Sequence, residues 1–243
     1  MMVRTLAAAV LACSALIAAR AAAAEADLAL VLAVDVSSSI NEERFGLQRE
    51  GIARGLESNE ILAAIAGGPH QTIELAIIEW SERQHVVLDW TIIRGRADLD
   101  TVLKALRTSP RPNVGYKTNV AAGIVNAAGL FETAPLQADR KIIDVSGDGQ
   151  QNDGKLAAEA ARDSAVAQDI TINGLPITSG EEPEVDRWYR THVVGGDGAF
   201  MIVANGHDAF ADAIRKKLSL EVAGVSLGRR FAAISERPWA RGR

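Results

Sequence analysis

Apolar and polar positions run along this chain in two rhythms. Stretches rich in valine and isoleucine recur at Leu28 to Val34, Thr72 to Ile78, His85 to Trp90, Lys141 to Val145, Ile170 to Leu175 and Ala199 to Val203. Each has the length of a strand, and most are nearly continuous rather than alternating, the pattern of strands buried on both faces of a parallel sheet. The segment Gln84 to Trp90 follows its predecessor after only Ser81 to Arg83, which predicts an antiparallel hairpin. Between these runs apolar residues are spaced by three, four or seven: Phe45, Ile52 and Leu56; Leu99, Val102, Leu103 and Leu106; Val120, Ile124, Ala127 and Phe131; an alanine-rich stretch from Leu156 to Ala167; and Phe210, Ile214 and Leu218. These spacings fit the 3.6-residue helical period. Strand and helix alternate, so the expected fold class is three-layer, doubly wound α/β with helices on both faces of a mostly parallel sheet. The segment Ser179 to Asp197, with Gly180, Pro183, Gly195 and Gly196 around a short amphipathic piece at Val185 to His192, reads as an irregular connection across one end of the sheet.

The two ends follow neither rhythm. Arg4, an apolar run from Leu6 to Ala19 and small residues at Ala22 and Ala24 read as a cleavable export signal over residues 1–24. Its apolar core falls short of the roughly 20 residues of a membrane span. The one cysteine, Cys13, lies inside it, so the mature chain is expected to carry no disulfide. Residues 25–225 then form one domain, and the basic stretch 226–243, broken by Pro238, is expected to be a loosely ordered tail. The net charge of −5 becomes more negative by two when Arg4 and Arg20 are removed. An acidic surface argues against a nucleic-acid partner.

Three polar clusters sit where apolar runs end: Asp35, Ser37 and Ser39 in DVSSS, Thr118 in GYKTN, and Asp148 in SGDG. All are hard oxygen donors, which suit Mg²⁺ or Mn²⁺, and the scattered His70, His85, His192 and His207 have no paired spacing that would suggest zinc and are expected to be structural or surface residues. In a doubly wound sheet ligands bind beyond the carboxyl ends of the strands, where strand order reverses. With the first and fourth strands as central neighbours, Asp35 and Asp148 converge and Thr118 reaches the same point. Ser37, Ser39 and Thr118 would bind an ion directly, with Asp35 and Asp148 acting directly or through water, and one position would stay open for an incoming carboxylate.

Each cluster also has a structural explanation. Ser39 and Glu42 form a capping-box pair, Thr118 can cap the helix beginning near Asn119, and Asp148 beside Gly149 can be a turn. Asp144, inside an apolar run, reads either as an acceptor orienting a loop hydroxyl from behind the metal or as an aspartate bonded to backbone. Asn152 and Asp153 read as turn residues or as part of an acidic rim. Trp80, Trp90 and Trp188 are expected to pack, and an exposed Trp188 could anchor a partner.

The spelling Asp-Val-Ser-Ser-Ser resembles the Asp-x-Ser-x-Ser signature of von Willebrand factor A (vWA) domains and their metal-ion-dependent adhesion site. The likeness extends to Thr118, to Asp148-Gly149 and over most of the mature chain. The text around Trp80-Ser81, Ile172 to Leu175 and Gly195 to Phe200 is similar to a family of exported bacterial vWA-like proteins of unknown function. The resemblance implies a six-stranded sheet ordered 3-2-1-4-5-6 with a short antiparallel third strand at the edge, a bound Mg²⁺ or Mn²⁺, and protein recognition through the open metal position. Two departures stand out: Ser146-Gly147-Asp148-Gly149 replaces the common Thr-Asp-Gly, and Ile40-Asn41 follows the signature without the usual glycine.

The expected function is a non-catalytic, exported, periplasmic or secreted binding module whose divalent cation is completed by an Asp or Glu of a protein partner. Ca²⁺ fits less well, because three hydroxyls supply little negative charge. The alternatives are a metal-dependent hydrolase or phosphoryl-transfer enzyme and a metal-free structural domain. The enzyme reading lacks a phosphate-cradling glycine loop before a lysine, a nucleophile elbow and a histidine near the three clusters to act as general base.

Overall fold

The computed structural model describes residues 25–224 apart from Glu181, so the export signal, Cys13 and the basic tail lie outside the described residues. In chain order the elements are β1 (Glu25–Ala26), β2 (Leu28–Asp35), α1 (Glu42–Leu56), α2 (Asn59–Gly67), β3 (Ile73–Trp80), β4 (Gln84–Ile93), α3 (Leu99–Thr108), α4 (Val120–Leu130), β5 (Gln137–Ala138), β6 (Lys141–Gly147), α5 (Ala158–Val166), β7 (Ile170–Thr178), α6 (Val185–His192), β8 (Ala204–Asn205) and α7 (Phe210–Val222). Six strands form the central sheet in the order β4-β3-β2-β6-β7-β8, and β1 pairs with β5 in a separate two-stranded ladder. All central pairings are parallel except β3 with β4. Numbered along the chain, the central strands take the order 3-2-1-4-5-6 with the antiparallel strand at the edge, as the resemblance implies.

The continuous apolar runs reflect burial on both sides. Leu28, Leu30, Leu32 and Val34 of β2 join one hydrophobic cluster with Ile52 and Leu56 of α1, Val102 and Leu106 of α3, and Phe210, Ile214 and Leu218 of α7. Val31 and Ala33 join the opposite cluster with Val120 and Ile124 of α4, Ala161 and Ala165 of α5, and Val185 and Tyr189 of α6. Side chains alternate across a strand, so a run buried throughout must serve two helical layers.

Four elements differ from the sequence reading. The edge strand β4 is ten residues long rather than short, because its partner β3 continues to Trp80 and pairs with it from Gln84 onward. Residues 199–203 pair with β7 through a single bridge, between Gly174 and Met201, and the last strand is the two-residue β8. Helix α2 was hidden in a short stretch; Ser58 caps it by accepting from the Ile61 N–H at 3.3 Å, and Ile61 and Ile65 bury one stripe. The amphipathic piece Val185 to His192 is a true helix, α6, held by the buried Val185 and Tyr189.

Candidate metal centre

Parallel pairing of β2 with β6 aligns Val34 with Ser146, so Asp35 and the residues after Gly147 leave the sheet side by side. β3 departs to one side of β2 and β6 lies on the other, which makes this the point of order reversal and opens a crevice at the carboxyl ends. The loop before α4 brings Thr118 beside the same place, and the first and third clusters touch directly. Ser37 Oγ and Ser39 Oγ are 3.2 Å apart, and Ser39 Oγ donates to Asp148 Oδ1 at 2.5 Å. A β-carbon added at Gly149, next to Asp148, would lie 3.6 Å from Thr118 Oγ1.

The capping explanations do not hold for these hydroxyls. Asn41, not Ser39, caps α1, its side chain accepting from the Arg44 N–H at 2.9 Å. Asn119, not Thr118, caps α4, accepting from the Ala122 N–H at 3.0 Å. Ser39 and Thr118 are therefore left facing the crevice.

Asp35 is fully buried. Its Oδ1 accepts the Ser37 N–H at 2.8 Å, while Oδ2 has no hydrogen-bond partner among the described residues. Burial, and then the neighbouring Asp148 charge, raise its pKa from 3.8 to about 7. A carboxylate desolvated this far, with one oxygen unsatisfied, is a poor structural element and a good seat for a cation. Above it, the Tyr189 hydroxyl is also buried without a partner, and its pKa is pushed well up by burial and then by Asp35. A β-carbon at Gly147 would come within 2.5 Å of Tyr189 Oη and 2.9 Å of Asp35 Oδ2. That contact explains the departure at this loop: the space a side chain would occupy is filled by Tyr189.

The second departure has its own cause. Ile40 is fully buried with Val36, Phe45 and Val114, and Asn41 is the helix cap, so a glycine at either position would lose packing or capping.

Residues outside the motifs hold the loops. The Arg111 guanidinium donates to the carbonyls of Val36 at 3.1 Å and Ile40 at 2.5 Å, and lies 5.2 Å from the Phe45 ring centre. Arg44 donates to Ser39 O at 2.6 Å. Ser81 Oγ donates to Lys117 O at 2.6 Å. Asn152 accepts the Thr118 N–H at 2.9 Å and returns its own N–H to Thr118 O at 2.9 Å, so Asn152 ties two loops together. The N–H of Asp153 reaches the same carbonyl at 3.2 Å.

Three sequence expectations are corrected here. Asp144 does not orient a loop hydroxyl: its Oδ2 is 2.7 Å from Lys217 Nζ on α7, and Lys217 also pairs with Glu221 at 2.6 Å, all three buried. His207 is neither surface nor remote, since its Nε2 lies 3.2 Å from Asp148 Oδ2 with the imidazole 9% exposed. Sequence spacing hid it, because it arrives from the far end of the chain. Trp188 is not a free anchor, because it stacks on His192 at 5.2 Å and meets Tyr189 edge-on. The exposed aromatic at the crevice is Tyr116, 75% exposed, in the Thr118 loop.

A second group of donors, Asp27, His70 and Asp139, lies at the opposite end of β2, about 26 Å away along the strand. Their ligand atoms lie within 4.8 Å of one another. Both Asp27 oxygens already accept backbone N–H groups, from His70 at 3.0 Å and Thr72 at 3.2 Å, which accounts for Asp27 as a clamp on the turn into β3.

A family described as "Protein of unknown function (DUF1194)" matches residues 25–226, and the chain belongs to it. No curated protein matches the sequence. Among solved structures the chain is similar to the proximal thread matrix protein 1 of the mussel byssus with a zinc-occupied MIDAS motif (TM-score 0.57, 16% identity, covering 83% of this chain and 48% of that one). It is also similar to the pilus adhesin SpaC of Lactobacillus rhamnosus GG (0.61, 14%, 81% and 30%) and to BatB of Bacteroides thetaiotaomicron (0.58, 14%, 82% and 98%). The chain thus spans about half of the mussel protein and a third of the adhesin. At these identities the likeness establishes the vWA fold.

Proposed function

We propose that Asp35, Ser37, Ser39, Thr118 and Asp148 hold a divalent cation, Mg²⁺ or Mn²⁺, and that the protein is an exported, metal-dependent protein-binding module. The observation that carries this reading is the convergence of three loops on one point with their capping duties discharged by other residues. Ser39 reaches Asp148 across 109 positions of sequence, while Asp35 keeps a buried oxygen without a partner. The donor set fits a hard cation: three neutral hydroxyls and two carboxylates leave an ion electrophilic enough to take a further carboxylate. That carboxylate would come from an Asp or Glu of a partner protein.

The surroundings suit such a partner. A cavity of about 480 Å³ adjoins the first loop, lined among others by Val36, Ile40, Arg111, Pro112 and Tyr116. Arg111 and the exposed Tyr116 are the residue types that anchor protein interfaces. The zinc-occupied MIDAS motif of the mussel protein and the adhesin role of SpaC point the same way. No helix among the described residues is long and apolar enough to cross a membrane. Export itself rests on residues 1–24.

Calorimetric titration of Mg²⁺ and Mn²⁺ into the wild-type protein, Asp35→Ala and Thr118→Ala tests the metal centre. Saturable binding that both variants lose, with circular dichroism unchanged, is the expected result. Wild type that binds neither ion, or variants that unfold, would return the loops to a purely structural role.

A further inference from the structure

The metal centre proposed above contains only oxygen donors, yet a histidine stands against it. The two-residue strand β8 ends at Asn205, and Gly206 follows with φ of +90°, a conformation that favours glycine. That turn delivers His207, first residue of a single 3₁₀ turn running to Ala209, to the side of Asp148. The ring is nine-tenths buried, and neither Nδ1 nor Nε2 has a hydrogen-bond partner among the described residues. Burying an imidazole with both nitrogens unsatisfied is costly, and a structural histidine would normally have at least one partner.

Distance and direction together suggest what the ring does. Nε2 lies 3.2 Å from Asp148 Oδ2 without being aligned for a hydrogen bond. Two donors bound side by side to one ion at about 2.0–2.2 Å each stand roughly 3.0 Å apart. The carboxylate–imidazole pair has that spacing, as do the two serine hydroxyls at 3.2 Å. The other oxygen of Asp148 is held by Ser39, so this carboxylate connects the hydroxyl cluster with the ring.

Resting on the metal-centre reading, we propose that His207 supplies a nitrogen ligand to the ion, and that this shifts the site from Mg²⁺ toward Zn²⁺ and neighbouring transition ions. Hydroxyl and carboxylate oxygens suit Mg²⁺ and Mn²⁺, whereas imidazole adds affinity for Zn²⁺, Ni²⁺ and Cu²⁺ and little for Mg²⁺. His207 is thereby a specificity residue of this chain, absent from the three clusters that mark the site in sequence.

The test uses a His70→Ala background, which silences the donor group of Asp27, His70 and Asp139. Zn²⁺ and Mg²⁺ affinities are measured by calorimetry for that background and with His207→Ala, His207→Gln or Asp35→Ala added. Pulsed electron paramagnetic resonance of the Mn²⁺-loaded proteins reports nitrogen at the ion. The expected result is that both His207 substitutions weaken Zn²⁺ by at least about 100-fold, since losing a ligand costs no less than the 10–100-fold of losing a partner that only orients one. Mg²⁺ affinity stays nearly unchanged, and the nitrogen modulation of the background protein disappears. Metal binding that is lost in Asp35→Ala but indifferent to His207, or that shows no nitrogen coupling, overturns this inference and leaves the metal centre standing. A background protein that binds no metal overturns both.

Discussion

Replacing Asp35 by asparagine keeps the shape of the side chain and the hydrogen bond its Oδ1 accepts from Ser37, and removes only the charge. In the metal-free protein that charge is a burden, because burial and Asp148 hold the folded pKa at about 7 against 3.8 for the free side chain. Between these values the folded protein retains a proton that the unfolded chain has released. Stability therefore falls as pH rises from about 4 to about 7 and stays low above, by about 4 kcal/mol for a shift of three units. Asparagine escapes this penalty but puts an unpartnered N–H₂ where Oδ2 was, at a cost of about 1–3 kcal/mol. At pH 8 in chelator, Asp35→Asn is thus expected to be more stable than wild type by about 1–3 kcal/mol, a rise of about 2–4 °C in Tm for each kcal/mol in a chain of this size. Near pH 4 the advantage disappears or reverses. Metal inverts the order at pH 8: at a thousandfold excess over Kd, wild type gains about 4.1 kcal/mol and the variant gains nothing. Thermal melts at both pH values, with chelator and with Mn²⁺, read all four conditions. A variant less stable than wild type in chelator at pH 8 would mean the carboxylate is a structural acceptor, and the account of Asp35 as a cation seat would fail.

Gly147→Ala is expected to lower Tm by several degrees and weaken Mn²⁺ binding together, because its β-carbon would meet Tyr189 Oη and Asp35; adding Tyr189→Phe should restore part of both, and a silent Gly147→Ala would refute the steric account. Arg111→Lys keeps the charge but loses the planar fork that spans the Val36 and Ile40 carbonyls, so metal affinity should fall about tenfold with faster amide exchange over residues 36–41, and exchange equal to wild type would count against it. Lys217→Met leaves Asp144 and Glu221 buried without their cation, a loss of about 3–5 kcal/mol near neutral pH by urea unfolding. Glu221, already raised to about 7 by burial and then by Asp144, rises further once the lysine is gone and holds its proton when folded. The Lys217→Met defect should therefore grow as pH rises above about 7, where Glu221 ionises beside its lysine in the wild type but keeps its proton in the folded variant, and a defect independent of pH would show that packing dominates.

The fold was legible because its main signal is local. Runs buried on both faces identify central strands without knowledge of what covers them, and β2, β3, β6 and β7 were all visible as such. What escaped depends on contacts made elsewhere. The stretch Asn59 to Gly67 is too short to display a period, and becomes a helix through the Ser58 cap and two buried isoleucines. Residues 199–203 carry the composition of a strand, yet they run past β7 with a single bridge because the ladder re-forms only at Ile177 with Ala204.

The same division runs through the site. Asp35, Ser37, Ser39 and Asp148 could be picked out because they follow apolar runs whose ends strand order brings together, and Thr118 because it stands at the head of the next helical pattern. The residues that hold the loops lie far away in sequence: Arg111 acts on backbone carbonyls that any residue would present, Asn152 closes on Thr118 from across a helix, and Tyr189 fills the space that Gly147 leaves. None has a spelling of its own. Their effect is to fix the loops before any cation arrives, so less ordering entropy is lost on binding and metal affinity depends on the donors themselves. If the proposed metal centre holds, the identity of the ion would turn on the donor that stands at the edge of the set. On this chain that position belongs to His207, brought there by the turn at Gly206 rather than by any motif.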